Sequence, residues 1–423
     1  MAVPPSQQSH ALQKALGLKD LLAFGIASIM GSGGFNLISE GVKNGGTLFP
    51  AAIAIVAALF QGASKAYDEA YKVFKSNTAE GDVVKAEFGS TASNITSVSI
   101  LGFNVFSAST ILVFAAKNVF PQGQWYGQIG FALLVLALMT GFSLKGIEMN
   151  KEVVGFFSVA VVALLLFASS IGVVEAFGPT GSPPSAFPAA LASRTPNLLK
   201  SVLYFYFVLS GFDDIMKFVE ESKDPDCDIP RAFYMSNAIS TLLTVGVAFA
   251  FTHMLTLKGG RGGAQGGGGG GGAIPTDNAI GRVIESALGP PSAKIVHWLG
   301  IFLMLVTAFV SFLAITRYLY GLGEEAKKGE KEGESWLHWL QDLNAEKVPW
   351  RSVGLTFGLV ASGILMNHTD TLVMITDFFL TLVMGTVTAA VAKMRWGRGE
   401  TPWIEGATAA GFLGILSTYV FPF

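Results

Sequence analysis

The chain has 423 residues, of which 51% are hydrophobic and only 14% charged, with a net charge of -2 and a pI of about 6.2. An average soluble domain carries roughly a quarter charged residues, so the deficit points to lipid as the solvent, and the lack of a basic excess sets nucleic-acid binding aside. A single cysteine, Cys227, excludes an intramolecular disulfide and a cysteine-based metal site, and the five histidines are scattered without ligand spacing.

Residues 1–20 are polar and lack the charged, apolar and small-residue succession of a cleaved signal peptide. They read as an N-terminal tail, with the first membrane helix serving as the targeting signal. Beyond them, long apolar runs alternate with polar loops. A helix that crosses a bilayer needs about 20 mostly apolar residues, because every backbone amide must be satisfied within its own segment. Eleven segments have this character: 21–40, 47–68, 91–116, 125–144, 153–176, 198–221, 232–256, 293–322, 352–367, 371–392 and 403–421. The third and eighth are long and the ninth short, which tilting or a helix break accommodates.

Basic residues concentrate in cytoplasmic loops. With the N-terminus inside, twenty of the 28 Lys and Arg residues fall in inner segments and eight in outer ones. The expectation is therefore a multi-pass protein with a cytoplasmic N-terminus and an outer C-terminus, in the plasma membrane or alternatively an organellar one. The outer tract Gly259 to Gly272 reads as a flexible linker. The inner segment 323–350, rich in Glu and Lys and carrying Trp336 and Trp339, reads as an amphipathic helix at the membrane surface, with a solvated linker as the alternative.

Two spans carry helix-breaking chemistry. The first contains Gly31, Ser32, Gly33 and Gly34 at its centre. Glycine weakens a helix, and a serine hydroxyl competes with the helix for local hydrogen bonds. A break near Gly31 would aim the free N–H groups of the following half-helix at a carboxylate, whereas small residues can also serve simple close packing. The sixth span reads Tyr204 to Leu209, then Ser210-Gly211-Phe212-Asp213-Asp214. Asp213 is an ionisable group inside an apolar segment, costly there and so a functional candidate, or else a structural carboxylate at a helix break. Carbonyls freed around Val208 to Ser210 would suit an ammonium group. Breaks five helices apart are what a pair of inverted five-helix repeats places in the first and sixth spans.

These residues carry a family resemblance. The first-span GIASIMGSGGF, the sixth-span SGFDDIMKFVEESKDPDCDIPRA and the eighth-span RYLYGLG resemble corresponding motifs of the amino acid-polyamine-organocation superfamily, in its amino acid permease branch. Lys347-Val348-Pro349-Trp350 stands where that family has a proline turn before its ninth helix. The resemblance implies an all-α LeuT-type fold, with a first five-helix repeat over 21–176, a second over 198–392, and an additional helix over 403–421. It further implies that Gly31, Ser32 and Gly33 bind a substrate carboxylate. Ala27, Ile29, Phe207, Val208 and Ser210 would then line the ammonium and side-chain sites, with Phe207 closing over the substrate or else packing as an ordinary aromatic.

Departures from the family bear on coupling. The lysine that many proton-coupled members and some exchangers carry in the fifth helix is missing from Val153 to Val174, and eleven spans stand where many members have twelve. Thr307 and Ser311, four apart in the eighth span, are candidate Na+ ligands by analogy with sodium-coupled relatives, or packing groups. Coupling to H+, to Na+ or to exchange stays open, with no resident cofactor. The third span holds no acid, which favours a neutral substrate unless Asp213 intervenes. No outer cysteine is available for a disulfide-linked heavy chain. A small-molecule amino acid substrate and the lipid bilayer are the expected partners. A polyamine transporter and a non-transporting sensor are the rival readings; no nucleophile-base pair or metal cluster suggests an enzyme.

Overall fold

The computed structural model describes residues 12–30, 37–121, 124–177, 196–261, 279–329 and 336–420. All of its regular structure is helical apart from two isolated bridges, Leu16 with Ser222 and Leu343 with Pro349. The α-helices are α1 (Leu18–Met30), α2 (Ile38–Gly45), α3 (Phe49–Phe74), α4 (Ala79–Phe88), α5 (Ser90–Val119), α6 (Trp125–Ser143), α7 (Ile147–Phe177) and α8 (Leu198–Leu209). There follow α9 (Pro225–Arg261), α10 (Ala279–Leu288), α11 (Pro290–Gly329), α12 (Trp350–Met366), α13 (Thr369–Gly397) and α14 (Trp403–Val420).

Each of the eleven expected spans contains helix, and among the described residues seven continuous runs are long and apolar enough to cross a membrane. The sixth span divides, and the first is described in part. The first yields α1 and α2 on either side of residues 31–36, which lie outside the described residues; the sixth yields α8 and a 3-10 helix over Phe212–Glu221. Two short helices, α4 and α10, stand where loops were expected, too short at ten residues each for a reading tuned to 20-residue runs.

The segment 323–350 does not form one continuous helix. Its described parts are the end of α11, a short 3-10 turn over Trp336–Gln341 and a tight turn before Pro349. In that turn the Asn344 side chain accepts from the Glu346 and Val348 amides at 3.0 and 2.9 Å, an arrangement that competes with helix. Most of the glycine tract 259–272 lies outside the described residues.

Burial ranks the helices. The most apolar part of α11 is 83% buried, whereas that of α7 is 33% buried and presents Phe156, Val159 and Val174 outward. A central helix is covered by its neighbours, and a peripheral one turns its apolar side chains to lipid. α5 packs against α11, α13 and α12, and α6 packs on α5 and α12. α1 packs on α9, α7 and α11, while α8 is wedged against α2 and α3. The 3-10 helix of the sixth span packs on both α1 and the deeply buried α11.

Candidate functional site

The break in the sixth span is a sharp one. Ser210 is extended (φ -74°, ψ 157°), and Gly211 takes φ +114°, a conformation that favours glycine. The Phe207 carbonyl accepts from the Ser210 amide at 3.4 Å and the Ser210 hydroxyl at 2.9 Å. The last turn of a helix leaves carbonyls without intrahelical donors, so the negative end of α8, at Val208 and Leu209, faces the break. A side chain at Gly211 would stand 2.9 Å from the Ser28 hydroxyl, so the sixth-span break is pressed directly on α1.

On the α1 side, Ala27 and Ile29 are each 1% exposed. The Ala27 carbonyl accepts a 2.5 Å hydrogen bond from Thr307 of α11, and Ser28 donates to Asp214. Ser311 lies one turn along from Thr307 and is also buried. Gly31, Ser32 and Gly33 lie outside the described residues, between Met30 and Leu37. Leu37 and Phe207 share a cavity of about 310 Å³, together with Phe114 of α5, Tyr204 of α8, Asp377 of α13 and Tyr419 of α14. The structure therefore brings together Ala27, Thr307 and the residues around the Gly211 break, and sets Phe207 at the cavity beside them.

Asp213 is not a free carboxylate. Its Oδ2 is 3.2 Å from Lys217 Nζ, and the same ammonium donates to the Asp213 carbonyl at 3.1 Å and to Glu80 Oε1 at 2.6 Å. Lys217 and Glu80 have no solvent exposure. Burial pushes the Glu80 carboxyl, on the short helix α4, up to about 7, against the opposing pull of the Lys217 ammonium. Four residues on, Glu221 takes a two-pronged ion pair from Arg317 of α11, Nε to Oε2 at 3.1 Å and Nη2 to Oε1 at 3.0 Å. Asn77 donates to the Arg317 carbonyl at 3.2 Å.

Lys217 and Arg317 are among the twenty basic residues expected in inner segments. The structure instead buries both in ion pairs, so neither reports on the aqueous side. The i,i+4 spacing of Asp213 and Lys217 was the available signal for their pairing. Asp377 was missed although it too is an ionisable residue within a span.

The chain resembles known proteins along most of its length. The family model described as "Amino acid permease" matches residues 16–423. An uncharacterized transporter of Mycobacterium tuberculosis is 24% identical over 59% of this chain and 55% of its own. Cationic amino acid transporter 9, chloroplastic, of Arabidopsis thaliana is 24% identical over 60% of this chain and 48% of its own. The chain thus spans about half the length of the curated relatives it matches. The crystal structure of MhsT in complex with L-phenylalanine covers 96% of this chain and is covered to 99%, with a TM-score of 0.58 and 13% identity, a likeness of fold. Helical architecture and fold likeness establish the expected LeuT-type fold, and with the apolar helices the family match makes the chain an integral, multi-pass membrane protein; it belongs to the amino acid permease family.

Proposed function

We propose that the protein is a secondary transporter that moves amino acids across a membrane by alternating access. The observation that carries this reading is the contact between the sixth-span break and α1, beside a cavity. α8 ends at Leu209, Gly211 packs on Ser28 near the end of α1, and the adjoining cavity is lined by Leu37 and Phe207.

In this reading the amides of 31–33 and the Ser32 hydroxyl take the substrate carboxylate. The carbonyls at the end of α8, around Val208 and Ser210, take the ammonium, and Phe207 closes over the substrate. The segments holding α1 and α8 rock against α5, α6, α11 and α12, which pack on one another. Coupling to a proton or sodium gradient belongs to the same proposal. The hydroxyl of Thr307 and the carbonyl of Ala27 converge, and hydroxyl and carbonyl oxygens suit a hard cation such as Na+, with Ser311 completing the candidate set. The neutral side-chain preference read from the acid-free third span concerns the wall supplied by α5; α13 places Asp377 on the same cavity.

The test is uptake of a panel of labelled amino acids into proteoliposomes, under imposed proton or sodium gradients and, separately, against internal amino acid. Saturable uptake that falls at least about tenfold in Ser32→Ala and Phe207→Ala is expected, the loss that one or two substrate contacts produce. Unchanged uptake in both variants would sink the site assignment. Binding without uptake or exchange would favour a sensor.

A further inference from the structure

One buried acid outside the ion pairs faces a cavity. Asp377 sits two turns into α13, is 3% exposed, and lines the same cavity as Phe207. Its Oδ1 has no hydrogen-bond partner, and among the described residues no basic side chain stands within ion-pair distance of its carboxylate. The Tyr419 hydroxyl of α14 is its polar neighbour. Asp213 is answered by Lys217 and Asp214 by the Ser28 hydroxyl, and neither lines the cavity that Asp377 shares with Phe207.

A carboxylate removed from water without a counter-charge is strongly unfavourable, and in a membrane protein such a group marks a place where a cation or a proton arrives. The surroundings of Asp377 favour an organic cation on an aliphatic stem. Phe207, Phe114 and Tyr204 supply aromatic walls, and a cavity of about 310 Å³ is of ligand size. Exposed Lys200 and Asp370 also line it.

We propose that Asp377 recognises the cationic end of the substrate side chain, so that the protein selects α-amino acids ending in an ammonium or guanidinium group. This rests on the transporter reading above. The side-chain cation donates hydrogen bonds to the carboxylate, and aromatic faces flank its stem. The acid that the third span lacks is supplied by the tenth.

The experiment is competition against labelled lysine and labelled leucine in proteoliposomes, with wild type, Asp377→Asn and Asp377→Glu. Wild type is expected to prefer lysine. Asp377→Asn lowers the lysine-to-leucine uptake ratio by roughly tenfold or more, the loss of a charge-assisted hydrogen bond, whereas Asp377→Glu keeps most of it. Cadaverine, which is lysine without its carboxylate, competes far less well than lysine. The proposal is overturned by a wild type that ignores lysine while carrying leucine, by an unchanged ratio in Asp377→Asn, or by cadaverine matching lysine. A wild type that carries no amino acid at all overturns the underlying transporter reading instead. Thermal unfolding of each variant accompanies the assay, and because the readout is a ratio, loss of folded protein alone leaves it unmoved.

Discussion

Lys217 Nζ lies 2.6 Å from Glu80 Oε1, so an ion pair without solvent exposure ties the second half of the broken sixth segment to the short helix α4. The lysine also holds Asp213, so that one ammonium serves two buried acidic side chains. Removing one member of a buried charge pair leaves the other uncompensated and costs about 3–5 kcal/mol. Lys217→Met is therefore expected to destabilise the protein by that order. The double variant Lys217→Met with Glu80→Gln recovers part of the loss. Thermal unfolding of the single and double variants measures this, and equal loss in both would show that the pair is uncoupled.

The Glu80 carboxyl carries its own pH signature. Its value in the fold, about 7, is raised from an ordinary 4.5, so the folded state holds a proton that the unfolded state has released across that window. The contribution to stability is full below about pH 4.5 and is lost as pH rises through 7. The advantage of wild type over Glu80→Gln should shrink between these limits by roughly 3 kcal/mol. Unfolding of both proteins from pH 4.5 to 8 tests it; a constant difference would mean that Glu80 is ionised throughout.

Arg317 and Glu221 form a second tie, this one between the sixth segment and α11. Arg317→Lys keeps the charge but replaces a rigid planar fork by a point donor. A loss of about 1–3 kcal/mol is expected, seen as a lower unfolding temperature, with Glu221→Gln changing stability in the same direction. No change in either would show the pair to be energetically silent.

Gly211→Ala tests the contact between the sixth-span break and α1. Any side chain there must take φ +114° and meet Ser28 at about 3 Å. A cost of about 1–3 kcal/mol is expected from the strained backbone alone. Uptake should fall further than stability does, because Ser28 also holds Asp214. Normal uptake in a stably folded Gly211→Ala would separate this packing from transport.

Much of this was legible in the sequence. Apolar runs of the right length marked the helices because lipid leaves a helix few alternatives. The break at Ser210 and Gly211 showed because an ionisable residue, Asp213, follows it within an apolar run. The partners of the charges were not legible. Glu80 and Lys217 are 137 residues apart, and a lysine at the end of an apolar run looks like any loop lysine until packing places it against an acid. Asp377 was hidden differently: it is an ionisable residue in a span, but no glycine or helix break beside it marks it out. α4 and α10 escaped because their apolar faces are short and become significant only against neighbours. The segment 31–33, the clearest motif in the sequence, lies outside the described residues and keeps its role as a proposal.

Cys227 stands at the start of α9, exposed, and is the only cysteine in the chain. A thiol-reactive fluorophore would therefore attach at one address in the unaltered protein, six residues past Glu221. Paired with an acceptor dye introduced on α12, it would serve as a ruler across the gap between the interrupted sixth segment and its packed neighbours, turning their relative displacement into an optical signal recorded while substrate is added.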